Sequence, residues 1–165
     1  MNLRRYHSND WDKVVELLHD TVHAINSAYY SEIQLNAWMP KDKNLPELKS
    51  RISQHYSVVV ENDEAIVGFG SVNGLGYFDC LYTHKDYQRM GIATLIADDI
   101  EGYFAHNGVQ VVITDASITA RPFFENRGYT ALNEKSAECR GQNFINYKMQ
   151  KLLCSIRKTW RNEIL

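Results

Sequence analysis

The stretch "YQRMGIATLIADDI", residues 87–100, joins a short polar loop directly to an apolar helical segment. The first amides of a helix have no acceptors within the helix and lie at the positive end of its dipole, so they bind anions such as phosphate. A glycine at position 91 lets a ligand approach the backbone without a Cβ atom in the way. The stretch therefore predicts an anion-binding loop. The alternative is an ordinary turn in which Gly91 is only a loop glycine.

The predicted anion-binding residues are consecutive: Gln88, Arg89, Met90, Gly91, Ile92, Ala93 and Thr94. We expect Gln88 and Arg89 to act through their backbone rather than their side chains. The small Ala93 keeps the first helical turn open, and Thr94 adds a hydroxyl donor. The other common phosphate patterns, G-x-x-x-x-G-K-[ST] and a G-x-G-x-x-G that opens a βαβ unit, do not occur in the sequence. Nucleotide hydrolysis and dinucleotide redox chemistry therefore lack their motifs.

Composition limits the class of protein further. The chain has 165 residues with 44% hydrophobic content and a formal net charge of -2, which suits one globular domain with a core. Its 18 basic residues are scattered, so neither nucleic acid nor an anionic membrane is an expected partner. Cys80, Cys139 and Cys154 lack metal-ligand spacing, which favours reduced thiols, a cytoplasmic location and no metal site. No apolar run has the length of a signal peptide or a membrane span.

Hydrophobic periodicity predicts the elements of the first half. Residues 2–7 alternate as a strand, and "WDKVVELLHDTVHAI" (11–25) has apolar residues at helical spacing. Shorter helices are indicated from Ser31 to Pro40 and over "LPELKSRISQ" (45–54). Residues 56–84 then read as three antiparallel strands, separated by turn-forming Asn-Asp and Asn-Gly pairs.

The second half adds a helix that follows the anion-binding loop, a buried strand at 109–117, a short helix at 118–128 and two closing strands at 129–135 and 143–151. The fold class is therefore α/β, with a mixed, mostly antiparallel twisted sheet of about seven strands flanked by about four helices. We expect one domain over residues 1–152 and a detachable tail at 153–165. The closing strand "NFINYKMQ" (143–150) is expected to be exposed and able to pair two subunits in a homodimer.

This element order and the segment Gln88–Ala93 resemble the GCN5-related N-acetyltransferase (GNAT) superfamily, whose acetyl-CoA loop reads Q/R-x-x-G-x-G/A. "LYTHKDYQRMGIATLI" (81–96) is similar to the family's strand, turn, pyrophosphate loop and helix in continuous order. "ITARPFFENRGY" (118–129) resembles the family's N-x-x-A-x-x-x-Y-x-x-x-G-F segment, with Ala120, Gly128 and Tyr129 in place. "YYSEIQLNAW" (29–38) and Asp115-Ala116-Ser117 resemble one bacterial-type branch with Y-S-x-x-Q-x-x-A-W and D-A-S motifs. The resemblance covers roughly residues 3 to 150.

The resemblance implies acetyl-CoA as cosubstrate and an amine that attacks it directly, without an acyl-enzyme. The strand before the loop would bind the pantetheine arm through its backbone, with Tyr82 or Leu81 as donor to the thioester carbonyl. Beyond the anion-binding residues, the implied cofactor-binding set is Leu81, Tyr82, Thr83, Ser117, Ala120, Phe123 and Phe124.

Asp79 is the first candidate for the catalytic base. It lies two residues before Leu81 on the same predicted strand, so we expect both side chains on one face. The carboxylate would act directly, through water or by holding the ammonium group, with Asp115 of the next parallel strand in support. The alternative is a structural role, in which Asp79 only satisfies a neighbouring backbone group or tyrosine hydroxyl.

The proton donor is where the chain departs from the family. Phe124 stands where related enzymes have a tyrosine that protonates the coenzyme A thiolate, and Ser117 stands where they have an asparagine. A phenyl ring donates no proton. Either another group serves, such as Ser117, Cys139, Tyr147 or water, or the thiolate leaves unassisted, since a thiol has an unperturbed pKa of about 8.5. Cys139 has a structural alternative as a half-exposed thiol.

The acceptor side is predicted to include Tyr30, Gln34, Trp38 and Asp115. The first three recur at four-residue spacing, which would place them on one helix face as an aromatic wall with a hydrogen-bonding group. The alternative is a packing stripe with Ser31 as the helix N-cap and Trp38 buried.

Two functions remain open at this point: an N-acetyltransferase acting on a small amine or a peptide amine, and a non-catalytic acyl-CoA-binding or sensing module.

Overall fold

The computed structural model describes residues 1–153, and seven strands of this part form one sheet. The strands are β1 (Asn2–Arg5), β2 (Tyr56–Asn62), β3 (Ala65–Val72), β4 (Tyr77–Thr83), β5 (Val111–Ser117), β6 (Thr130–Cys139) and β7 (Gln142–Leu152). The α-helices are α1 (Trp11–Ile25), α2 (Glu32–Trp38), α3 (Pro46–Gln54), α4 (Ile92–His106) and α5 (Arg121–Asn126). The predicted tail lies outside the described residues from position 154 onward, so its boundary stays a prediction.

The strand order is β1-β2-β3-β4-β5-β7-β6, and every neighbouring pair is antiparallel except β4 and β5. This confirms the predicted mixed, mostly antiparallel sheet. The residues described contain five α-helices, one more than the approximate total of four, and each lies on a segment for which the sequence indicates a helix. No helix within residues 1–153 has the length and apolarity needed to cross a membrane.

Two cores lie on opposite faces of the sheet. On one face, Val14, Leu18 and Val22 of α1 pack with Phe69. On the other face, α4 and α5 pack with the alternate residues of the same strands. Val58, Val59 and Val60 are all fully buried, because helices cover both faces of the sheet at β2.

The closing hairpin differs from the prediction. The structure extends β6 to Cys139 and joins it to β7 by a tight turn at Arg140 and Gly141, which have φ angles of 46° and 74°. Two residues with positive φ are typical of a hairpin turn. Residues 136–139, "SAEC", were not predicted as strand because they include no β-branched or aromatic residue, although they alternate between exposed and half-buried positions. Strand 143–150 lies between β5 and β6, so the expectation of an exposed edge strand there is wrong, and the homodimer stays a prediction.

Candidate functional site

A cleft opens where β4 and β5 separate. These parallel strands pair only at Tyr77 with Ile113 and at Phe78 with Thr114. Beyond these positions β4 continues to Thr83 and β5 to Ser117, and the described chain has no further pairing between them. The cleft has a volume of about 1440 Å³ and extends from the start of α4 to side chains of α2, α3 and β6.

The backbone of Leu81 faces this cleft. The amide of His84 donates to the carbonyl of Val67 at 2.9 Å, which fixes the phase of hydrogen bonding between β3 and β4. Bonded and non-bonded pairs alternate along antiparallel strands, so Tyr82 bonds to β3 whereas Leu81 and Thr83 direct their backbone groups toward the cleft. Of the two predicted carbonyl donors, the alternation therefore favours Leu81 over Tyr82.

The predicted anion-binding loop forms the start of α4. Gly91 is the N-cap residue with a φ angle of 82°, and no side chain within the described residues caps the helix. A Cβ atom built at Gly91 meets nothing within 4 Å, so the space in front of the helix is open. The first residues of the helix, Ile92, Ala93 and Thr94, line the cleft. The arrangement fits a phosphate group bound by the free amides.

Side chains of the loop have different positions. The amide of Gln88 donates to the carbonyls of Thr83 at 2.7 Å and His84 at 3.1 Å, so it holds the loop against the end of β4. Arg89 lines the cleft and has a φ angle of 61°. Met90 is 56% exposed and lies outside the cleft lining. Its predicted contribution is thus limited to the backbone.

Two glycines of β3 set the position of α4 on the sheet. A Cβ atom at Gly68 would collide with Ile92, and one at Gly70 would collide with Ile96 and approach Ile100 to 2.9 Å. Their missing side chains let the helix pack directly on the strand. Sequence reasoning did not identify them, since "VGFGSV" reads only as a strand with small residues.

Asp79 lies at a β-bulge. The register between β3 and β4 shifts between Ser71 and Val72, which leaves Asp79 as the additional residue on β4. The expectation that Asp79 and Leu81 share a face is wrong, because the bulge interrupts the two-residue alternation. Asp79 contacts Arg51 of α3, whereas Leu81 packs with the core on the α4 side. The carboxylate nevertheless lines the cleft.

Polar groups surround the Asp79 carboxylate. Arg51 Nε donates to Asp79 Oδ2 at 2.7 Å, and His55 Nδ1 lies 3.6 Å from the same oxygen. Burial lowers the pKa of His55 and outweighs the opposing field of Asp79. His55 Nδ1 is also 3.2 Å from Ser71 Oγ, which lies 2.9 Å from Ser57 Oγ in the core. Arg51 and His55 were not predicted as site residues, because only the fold brings α3 to β4.

Asp115 follows the last paired position of β5, as Asp79 does on β4. Its Oδ2 accepts from the Tyr77 hydroxyl at 3.0 Å and from Lys135 Nζ at 2.6 Å. Burial and the neighbouring Asp115 carboxylate raise the pKa of Tyr77 above its usual range. Tyr77 and Lys135 were absent from the predicted site. Both carboxylates line the cleft immediately beyond the strand separation, and their cooperation in catalysis stays a prediction.

Phe124 lies in an aromatic environment and is 3% exposed. Its ring has edge contacts with Phe78, Phe123 and Tyr129 at centroid distances of 5.5, 5.4 and 5.0 Å. Ser117 Oγ accepts from the amide of Ala120 at 3.2 Å and keeps its own hydroxyl proton available for donation. Four predicted residues of this segment line the cleft: Ser117, Ala120, Phe123 and Phe124.

The other two candidate proton donors differ in position. Cys139 lines the cleft and donates to the carbonyl of Ala37 at 3.3 Å, so its thiol proton has a partner. Tyr147 lies outside the cleft lining, and the guanidinium of Arg121 covers its ring at 4.3 Å. Among the alternatives named for the missing tyrosine, Ser117 has the most suitable geometry.

The predicted acceptor residues of the early helices separate into two groups. Trp38 lines the cleft, and its indole N–H donates to the Tyr82 hydroxyl at 3.2 Å. Tyr30 and Gln34 lie outside the lining. Ser31 is the N-cap of α2, so Tyr30 precedes the helix and the prediction of one shared helix face is wrong.

Tyr30 and Gln34 have structural partners. The Tyr30 ring packs against Trp38 at 5.5 Å, and its hydroxyl accepts from the amide of Ile118 at 3.4 Å. Gln34 completes a capping box with Ser31 and donates to the carbonyl of Asn143 at 2.9 Å. These contacts match the packing and capping alternative, and acceptor binding by the two residues stays a prediction.

Comparison with known proteins identifies the class. The family model described as "Acetyltransferase (GNAT) domain" matches residues 26–151, and the chain belongs to this family. It is similar to the uncharacterized N-acetyltransferase YafP of Escherichia coli strain K12, with 29% identity over 150 residues that cover 91% of this chain and 95% of that protein.

Solved structures show the same architecture. A GCN5-related N-acetyltransferase from Rhodopseudomonas palustris aligns with a TM-score of 0.88 and 28% identity over 92% of this chain and 95% of that one. The PaiA N-acetyltransferase from Thermoplasma acidophilum, solved in complex with coenzyme A, aligns with a TM-score of 0.70 over 92% of this chain and 98% of that one. Its identity of 16% shows likeness of fold alone.

Proposed function

We propose that the protein is an acetyl-CoA-dependent N-acetyltransferase that transfers an acetyl group to a primary amine of a small molecule or a peptide by direct attack in a ternary complex. The main support is one juxtaposition: an uncapped helix start with open space at Gly91 lies at one end of the cleft between β4 and β5. The two carboxylates lie at the strand separation in the same cleft. We also propose that the chain belongs to the branch with the Y-S-x-x-Q-x-x-A-W and D-A-S motifs.

Three parts of acetyl-CoA have proposed binding groups in the cleft: the pyrophosphate, the pantetheine arm and the thioester. The amides of Ile92, Ala93 and Thr94 bind the pyrophosphate, and the free edge of β4 binds the pantetheine arm. The N–H of Leu81 polarises the thioester carbonyl, which favours attack because negative charge develops on that oxygen. Membership of the family and the coenzyme A complex of PaiA support this ligand.

Asp79 deprotonates the acceptor amine. An ammonium group is not nucleophilic, so a carboxylate in the cleft must take its proton directly or through water. Arg51 Nε donates to Asp79 Oδ2 at 2.7 Å, which orients the carboxylate. Ser117 or water then supplies a proton to the departing thiolate. The rings around Phe124 provide no proton for this step, because the one hydroxyl among them, that of Tyr129, donates to Glu101 at 3.1 Å.

A broad amine panel tests the proposal through acceptor-dependent release of free thiol from acetyl-CoA. We expect thiol release with at least one class of primary amine and none without protein. The second candidate, a non-catalytic acyl-CoA-binding or sensing module, is favoured by the phenyl ring at position 124. Binding of acetyl-CoA without thiol release for any amine would support that candidate. A cytoplasmic location and a homodimer are further expectations of the proposal.

A further inference from the structure

The ammonium group of Lys135 lies in the cleft beside Asp115, a predicted acceptor-binding residue. Lys135 Nζ lies 2.6 Å from Asp115 Oδ2, and the Tyr77 hydroxyl donates to the same oxygen at 3.0 Å. The second oxygen, Asp115 Oδ1, is buried and has no hydrogen-bond partner within the described residues. A buried carboxylate is stable only when cations or donors satisfy it. The site therefore has the chemistry of an ammonium-binding pocket in which Asp115 Oδ1 can still accept a hydrogen bond.

The two ion pairs of the cleft are not equivalent. Arg51 approaches Asp79 from α3 and presents a guanidinium, which an amine does not replace atom for atom. Lys135 approaches Asp115 from β6, the edge strand, and its side chain is 41% exposed against 17% for Asp115. A half-exposed lysine on a flexible chain contributes little free energy by remaining paired. Lys135 can leave the site readily, whereas Asp115 stays behind and needs a cation.

We propose that Lys135 occupies the acceptor ammonium site in the free protein and leaves it when an amine binds, so that the acceptor is an unbranched aliphatic primary amine. This inference rests on the proposed function and specifies its substrate class. An ammonium group has three donors, enough for Oδ2, the unpartnered Oδ1 and one further acceptor. The unbranched methylene chain of Lys135 leads to Asp115, and an amine of the same shape would occupy the space that this chain vacates. Lys135 is thus an internal competitor that sets amine affinity.

Calorimetric binding of n-hexylammonium in the presence of saturating coenzyme A tests the inference without requiring turnover. Lys135→Met removes the competing charge and keeps the unbranched chain. We expect its Kd for n-hexylammonium to fall about tenfold, or about 1.4 kcal/mol. Asp115→Asn should lose binding in both the native and the Lys135→Met background. tert-Butylammonium should bind weakly to all variants.

Lys151→Met is the matched control. Lys151 pairs with Glu101 at 2.7 Å, and Arg127 also holds this carboxylate, at 2.9 Å, so the variant should fold. Neither Lys151 nor Glu101 lines the cleft, and we expect the native Kd for the amine.

Unchanged or weaker amine binding in Lys135→Met, with native coenzyme A affinity, would overturn the inference. Tighter binding without any thiol release from acetyl-CoA would support the ammonium site and contradict the proposed transferase activity. The two failures are therefore distinguishable.

Discussion

The two ends of the cleft are built in different ways. The proposed phosphate end consists of consecutive residues, 88–94, whose backbone amides are expected to bind the pyrophosphate. The proposed acceptor end consists of side chains from separate elements: Arg51 of α3, Asp79 of β4, Asp115 of β5 and Lys135 of β6. Binding through backbone amides depends little on the side chains of the residues that supply them, whereas each ion pair requires two particular residues. The phosphate end is thus defined by local conformation and the acceptor end by tertiary contacts.

Substitution at Gly91 is expected to have the largest effect. In Gly91→Glu a carboxylate would occupy the pyrophosphate position and repel it, so coenzyme A binding should weaken by at least about 100-fold, or about 2.7 kcal/mol. Because glutamate at this position must adopt a positive φ angle, the free energy of unfolding should also fall by about 1–2 kcal/mol. Gly108→Glu is the control, because Gly108 has a φ angle of 75° and equally open space beyond the other end of α4. Thermal shift with acetyl-CoA measures both, and a native shift in Gly91→Glu would contradict the anion-binding loop.

Asp79→Asn tests the proposed acceptor end through its effect on turnover. We expect kcat to fall by about 100-fold with little change in acetyl-CoA affinity, because the carboxylate acts on the amine. The loss should shrink as the pH rises, since more of the acceptor is then already neutral. Asp99→Asn removes a carboxylate that accepts from Tyr56 at 2.9 Å outside the cleft and serves as the control. A deficit of equal size at every pH would indicate a positioning role instead.

Gly70→Val tests whether the phosphate end also depends on packing. The added side chain would collide with Ile96 and displace α4, which should lower the free energy of unfolding by about 2 kcal/mol. Acetyl-CoA affinity should fall as well, because the helix start moves with the helix. Gly74→Val, where a Cβ atom meets nothing within 4 Å, should change stability by less than about 0.5 kcal/mol. Denaturant unfolding provides the measurement, and equal stability of the two variants would show that α4 adjusts freely.

Phe124→Tyr is expected to have the smallest effect on catalysis. The new hydroxyl would lie among aromatic rings, and Ser117 or water is available as donor, so kcat should change by less than about threefold, or about 0.7 kcal/mol. Steady-state kinetics across a pH series provide the test. A tenfold gain would contradict this expectation and show that thiolate departure limits the rate for lack of an acid.

Much of the fold could be predicted because hydrophobic periodicity is local. The stripe of α1, the β2–β4 meander and the start of α4 each appear within a short window of sequence. The extension of β6 to Cys139 could not be seen in this way, because its residues, "SAEC", are small or charged and the strand pairs with a single neighbour. The bulge at Asp79 was missed for a related reason: a shift in register depends on the partner strand.

Sequence by itself determined the family and the position of the loop that is proposed to bind the pyrophosphate. A glycine before an apolar helix and a following motif at fixed spacing are properties of contiguous chain, and backbone amides bind phosphate wherever that geometry forms. Tertiary structure alone decided that Arg51 orients Asp79 and that Lys135 pairs with Asp115. It also decided that Tyr30 and Gln34 have structural partners rather than places in the cleft lining. The physical reason is that side-chain contacts between distant elements depend on strand order, register and bulges, which no local pattern specifies.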